Sequence, residues 1–340
     1  MIGPGAAFPP VDVTAHRLRF ATDPATCVRW LASFGRRFLV TVDVEEEFDW
    51  SRPFSGAARK VAAVAALPAW HVAMRARGVA PVYVVDHPVA TDPAAAALIA
   101  PLLTDGSEAG AQLHPWVNPP QVEVPGELAS FAGNLPESVE AAKIDELFGA
   151  LTAAFGRAPR LYRAGRYGLG PATLRLLAAR GIAVDASMRA RFDYRDHGGP
   201  DFTGVDGAAF RTVDGVIELP LSVVYTGLLH RAGRWLHPAA TRVPRGGGVL
   251  ARTGLLSRVP LTPEGTPLPD AVRAIRRAAR DGARLLQLAF HSPSLVPGNT
   301  PYVRDAADLA HFHRWWGGVL DALERHGFAP VTLDEVIRAV

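Results

Sequence analysis

Short runs of three to seven residues, mostly apolar, alternate with longer stretches of helical composition along most of the chain, and the runs share one habit: each ends in a charged or imidazole side chain. Phe38–Val42 runs into Asp43, Ala80–Val85 into Asp86, and Ala109–Leu113 into His114. Arg160–Tyr162 leads to Arg163, Ile182–Val184 to Asp185, and Arg284–Phe290 to His291. Runs this short, rich in Val and Ile and bounded by turn residues, predict buried strands. Between them lie helical stretches at Gly56–Arg77, Pro93–Leu103, Ser138–Phe155, Pro171–Arg180, Leu268–Arg280 and Asp305–His326, several closed by glycine. A short helix is expected around Thr26–Phe34, and a brief strand and a last helix near the C-terminus, at Ala329–Thr332 and Leu333–Val340.

Alternation of strand and helix argues for parallel pairing with right-handed crossovers, and the number of units predicts a closed or nearly closed α/β barrel. In a parallel barrel the C-terminal strand ends share one face, where reactive groups gather. Residues 1–36 read as an irregular lead-in and residues 37–340 as the barrel domain. Within it, 189–266 is rich in Gly, Pro and Arg and reads as an insertion after the fifth strand, carrying hairpins near Phe210–Val213 and Val216–Leu221.

The chain has 340 residues, 49% hydrophobic and 20% charged, enough to bury a large core. The formal charge is only +3, and Lys60 and Lys143 are the only lysines. No aromatic–basic stripe points to nucleic acid. Cys27 is the only cysteine, so neither an intrachain disulfide nor a cysteine metal site is available. MIGPGAAFPPVDV lacks the pattern of a signal peptide, and no apolar stretch reaches the length of a membrane span, so a cytoplasmic protein is expected.

Chemistry concentrates where the first strand ends. Asp43, Glu45, Glu46, Glu47 and Asp49 place five carboxylates in seven residues. Such a cluster calls for a bound cation or a nearby arginine, or else is a solvated loop. His311 and His313, two apart on a helix, point in different directions and do not form a shared site. Gly246–Gly248 lacks the Lys-Ser/Thr of a phosphate loop, and Ser292 and Ser294 lack a nucleophile elbow.

The order of TVDVEEEFDW, GAQLHPWVNPP, YRAGRYG, VDASM and LAFHSPSL resembles the five motifs of metal-dependent polysaccharide deacetylases, the NodB-homology domain of carbohydrate esterase family 4, with the WalW-like branch nearest. The resemblance spans roughly Arg37 to Val340. It implies a distorted (β/α)7-8 barrel, TIM-barrel-like, that removes N-acetyl groups from a carbohydrate or glycolipid precursor with one divalent ion, commonly zinc. Carried over by residue, it implies Asp43 as catalytic base and Arg163 as its partner. Asp185 would orient His291, the general acid. Val44 stands where a second aspartate is usual, so Glu45 becomes the metal ligand, with His114 and, as a poorer donor, Asn118. Arg166 or Tyr167 would bring a backbone N–H to the oxyanion, and Trp50, Trp116 and Tyr167 are candidates to stack on sugar rings. Two other readings stay open: a glycan-binding barrel whose metal site has decayed, given Gln112 and Asn118, and a hydrolase of another small C–N bond.

Overall fold

The computed structural model describes residues 11–49 and 51–340; Trp50 and the stretch read against a signal peptide up to residue 10 lie outside them. Its centre is a curled sheet in the order β10-β1-β2-β3-β4-β5-β7-β6. These strands are β1 (Arg36–Val44), β2 (Val82–Val85), β3 (Glu108–Leu113), β4 (Leu161–Ala164), β5 (Val184–Asp185), β6 (Phe210–Arg211), β7 (Ile217–Glu218) and β10 (Leu285–His291). All neighbours pair in parallel except the β6–β7 edge. A further strand, β11 (Phe328–Pro330), pairs with the start of β1.

Period-two alternation sorts β1 into two faces. Phe38, Val40, Val42 and Val44 pack outward with Trp70 and Trp316, from helices α1 (Leu67–Arg75) and α6 (Ala306–Arg325). Leu39 faces the interior, in one apolar cluster with Val82, Val84, Leu161, Val184 and Leu333. Thr41, Asp43 and Glu45 continue that inner face upward, so the floor of the half-barrel is apolar and its rim is charged.

The barrel does not close by strand pairing. Across the gap, Ser222 N donates to Gln287 O at 3.2 Å, and Gln287 N donates to Ser222 Oγ at 2.8 Å. Residues 189–266 therefore do more than decorate the barrel: β7 is a parallel strand of the main sheet, and Ser222 bridges its open side. The same segment carries an antiparallel ribbon, β8 (Val223–Thr226) with β9 (Ser257–Pro260), topped by two helices, α3 (Gly233–Thr241) and α4 (Gly246–Arg252).

The expected helix at Thr26–Phe34 is only a 3-10 turn at Ala32–Phe34, and the helix expected at Gly56–Arg77 begins at Ala62 as a 3-10 turn. The later helices, α2 (Glu137–Phe155), α5 (Leu268–Arg280) and α6, form where the spacing predicts them. No helix among the described residues is long and apolar enough to cross a membrane.

Candidate functional site

A cavity of about 290 Å³ opens at the C-terminal ends of the strands, and Asp43, Glu45, Gln112, His114, Arg163 and His291 line its base. Register brings the two ends together: β10 and β1 run in parallel with His291 directly opposite Asp43. His291 Nε2 lies 3.6 Å from Asp43 Oδ2.

Arg163 is buried with its guanidinium fully engaged. Nη1 donates to Asp43 Oδ1, Nη2 to Thr41 Oγ1 at 2.8 Å, and Nε to Ala186 O at 3.0 Å. A bidentate-capable, permanently charged group held this way fixes the Asp43 carboxylate in one orientation.

Three acceptors converge on one point. Gln112 Nε2 lies 2.9 Å from Glu45 Oε2, 3.2 Å from His114 Nε2 and 3.5 Å from Asp43 Oδ2. Its other amide atom, Oε1, is buried without a hydrogen-bond partner. Behind this point, His114 Nδ1 sits 2.8 Å from Glu46 Oε2, which assigns the Nδ1 proton to that bond and leaves the Nε2 lone pair facing Glu45. Trp116 Nε1 donates to the other Glu46 oxygen at 2.8 Å, and the Trp116 ring stacks on His114 with centroids 4.5 Å apart. Gly165 gives His114 its room: a Cβ there would come within 2.2 Å of the imidazole Cδ2.

Burial dominates the electrostatics. It pushes the Glu45 carboxyl up to about 8, the pull of His291 and His114 being too weak to offset it while Glu46 and Asp43 push the same way. Glu46 is likewise raised by burial to about 7, against hydrogen bonds that hold it down. Burial works against a proton on His291, yet Glu264, Glu45 and Asp43 together raise its pKa well above the ordinary imidazole value.

The partner of His291 is Glu264. His291 Nδ1 lies 2.7 Å from Glu264 Oε2, and His291 N and Ser294 Oγ donate to Glu264 Oε1 at 3.1 and 2.6 Å. Asp185, expected in this role, is turned away. Val184 and Ala186 share the interior cluster with Leu39, so alternation points the residue between them to the other face. There Asp185 accepts from Ser187 Oγ at 2.5 Å and stands opposite buried Glu218 on the neighbouring strand β7.

Asn118 does not line the cavity, and its Oδ1 is buried without a hydrogen-bond partner. Its Nδ2 donates to the carbonyls of Pro119 (2.6 Å) and Lys143 (2.9 Å). The loop that carries it is clamped by Lys143 Nζ, which donates to the carbonyls of Pro115, Asn118 and Pro120 and pairs with buried Glu123 at 3.0 Å. Trp116 is 2% exposed behind His114, in no position to stack on a ligand.

Arg166 and Tyr167 do stand at the cavity wall, and both adopt left-handed backbone conformations, φ 53° and 63°. Two such residues in succession cost about 1–2 kcal/mol each, so the sharp turn is held by its surroundings. Arg166 Nη1 donates to Ser130 Oγ at 2.5 Å and its guanidinium lies over Phe131, while Tyr167 stacks on Tyr194 at 5.0 Å. Arg189 completes this wall over the Phe192 ring.

No protein-family model matches the chain, and no curated protein matches it in sequence. Among solved structures it is similar to a Mycobacterium smegmatis protein assigned as a polysaccharide deacetylase, at 18% identity and TM-score 0.57, with 93% of each chain covered. It also matches the chitin deacetylase of Colletotrichum lindemuthianum, at 11% identity and TM-score 0.42, covering 96% of this chain and 92% of the other. A third match, at 8% identity and TM-score 0.43, is a CE4 family pseudoenzyme from Bacillus anthracis, covering 89% of this chain and 66% of the other. With the open parallel sheet, the inner-face site and the first of these likenesses together, the chain has the NodB-type barrel fold of the polysaccharide deacetylases.

Proposed function

We propose that the protein is a metal-dependent amide hydrolase that removes N-acetyl groups from a carbohydrate or glycolipid precursor. The observation that carries this reading is the convergence of Asp43, Glu45 and His114 on one point beside the Glu264-backed His291.

The donor set fits a divalent ion. Asp43, Glu45 and the His114 lone pair surround one point inside a buried cluster, where a cation would take the place of the Gln112 amide and favour the ionised form of Glu45. Gln112 Oε1, buried and unpartnered, is the third oxygen available once its amide turns over. Glu45, His114 and Gln112 would hold the ion, and the Glu46 carboxylate behind His114 fixes the ligating tautomer. Hard oxygen donors with one imidazole suit zinc and also manganese or magnesium.

When bound, the ion supplies Lewis acidity, lowering the pKa of the attacking water and polarising the amide carbonyl. Asp43, held by Arg163, takes the proton from that water as it adds to the carbonyl carbon. A backbone N–H of the Arg166–Tyr167 turn faces the oxyanion. His291, kept protonated by Glu264, gives its Nε2 proton to the nitrogen as the C–N bond breaks, releasing acetate and a free amine. The WalW-like resemblance makes a lipopolysaccharide precursor the first substrate to try.

A glycan-binding barrel is the second reading, favoured by one observation: Gln112 Nε2 already satisfies Glu45 and His114 from the place a cation would take. Acetate release from a panel of N-acetylated oligosaccharides, with zinc and then with chelator, separates the two. The hydrolase reading requires release that chelator abolishes and Asp43→Asn reduces by about 10²–10⁴-fold. Glycan binding without release under any metal supports the second reading instead.

A further inference from the structure

Residues 219–263 contain six arginines and no aspartate or glutamate. Five of them, Arg231, Arg234, Arg242, Arg245 and Arg252, are exposed on the α3–α4 hairpin. None of the five lies within 4.0 Å of a carboxylate oxygen among the described residues. Large apolar side chains stand exposed beside them: Leu228 is 80% accessible, Trp235 60%, Val243 59% and Val249 53%. The contrast is with Trp70, Trp116, Trp315 and Trp316, all buried in the barrel.

The hairpin has a well-defined inner face. Gly233 lies so close to Tyr225 on β8 that a Cβ would come within 2.4 Å of the ring, and His237 packs 5.8 Å from the same ring. That docking fixes Trp235 and Arg234 on the outside, with the guanidinium 3.8 Å from the indole centroid. The ribbon beneath starts at the paired residues Val223 and Pro260, both of which line the cavity, and reaches the hairpin after four residues, about 10 Å.

We propose that this hairpin is a docking surface for an anionic lipid bilayer. Its two components match the two layers of such a surface. Leu228, Trp235, Val243 and Val249 enter the headgroup–acyl boundary, where an indole ring is favoured, and the arginines remain among the lipid phosphates above them. An acidic protein partner would satisfy the arginines, and so would nucleic acid, but the interspersed aliphatic side chains offer neither stacking nor hydrogen bonds to a nucleotide. The segment lies on the bilayer and does not cross it, since both helices are short. The inference stands apart from the catalytic reading: it uses no residue that lines the base of the cavity.

Co-sedimentation of the full chain with vesicles tests it, using phosphatidylcholine alone and phosphatidylcholine with phosphatidylglycerol in equal parts. The expected result is binding to the mixed vesicles only, lost in high salt, and weakened at least about tenfold by Arg231→Glu with Arg234→Glu. Trp235→Glu should weaken it similarly, and Val249→Asp serves as a second apolar probe, with thermal melts checking that each variant is folded. No binding to the mixed vesicles overturns the proposal, as does binding indifferent to these substitutions. Binding of a single-stranded oligonucleotide that does not depend on Trp235 and displaces the vesicles also overturns it.

Discussion

Glu264 Oε2 lies 2.7 Å from His291 Nδ1, and the same carboxylate accepts from the His291 backbone N–H and from Ser294. The imidazole is thereby tethered at one nitrogen while Nε2 faces Asp43. Glu264 also raises the pKa of His291, through its charge and its hydrogen bond. Replacing it by glutamine removes the charge and keeps the shape. Glu264→Gln is therefore expected to move the alkaline limb of the pH–rate profile to lower pH, where a merely structural change would lower the rate at every pH alike. A profile with an unmoved alkaline limb removes Glu264 from this positioning role.

In the proposed metal centre, Gln112 is the residue expected to set how tightly a cation is held. Gln112→Glu changes the amide to a carboxylate of the same size, adding a further buried carboxylate beside Glu45, Asp43 and the His114 lone pair. Without metal this added carboxylate lowers the melting temperature; with zinc its burial is relieved and the ion is held more tightly, by about 10–100-fold. Melting curves with and without zinc check both halves. Equal zinc responses in the variant and the wild type would place the ion away from Gln112.

Most of this site was open to sequence reading, because β1 is long and strictly alternating. Once Leu39 is inside, Asp43 and Glu45 follow it by period two, and Val44 cannot. The shared strand-end position put Arg163 and His291 on the same face as Asp43, and the family resemblance implied the Arg163–Asp43 pair; that His291 lies directly opposite Asp43 is seen only in the strand register. Asp185 failed that test because its strand is two residues long, too short for the sequence to say which face each residue takes. Glu264 was hidden in a stretch read as an insertion, and no apolar run marks it, since Thr262 and Pro263 stand directly before it. Asn118 and Trp116 have the right spacing from His114, but their orientation is set by contacts distant in sequence: the Lys143 carbonyl for one, Glu46 for the other.

Lys143 is the clamp on that loop. Its ammonium, fully buried, serves three carbonyls and Glu123. Lys143→Met leaves the buried Glu123 carboxylate uncompensated and is expected to cost about 3–5 kcal/mol of stability. Denaturant unfolding measures this. A loss under about 1 kcal/mol, as for an exposed pair, would contradict the burial of the clamp.

Stability of the metal-free protein has a pH dependence of defined sign. Burial raises Glu45 to about 8 and Glu46 and Glu140 to about 7, so between the unfolded value of 4.5 and these values the native chain holds more protons than the unfolded chain. Their contribution is complete below pH 4.5 and is lost as pH rises through 7 to 8. His87 and His237, lowered by burial to about 4, act between 4 and 6.5, where stability falls as pH falls. The melting temperature of the metal-free protein is therefore expected to drop from pH 6.5 to 8. A melting temperature that rises across that interval contradicts these assignments.

The metal centre is tested by the number of divalent ions retained per chain after zinc loading and dialysis, for wild type, Glu45→Ala and His114→Ala. About one ion is expected in the wild type and none in either variant, with both variants still folded. A wild-type chain that keeps no ion, or variants that keep it as well as wild type, would contradict a metal centre built on Glu45 and His114.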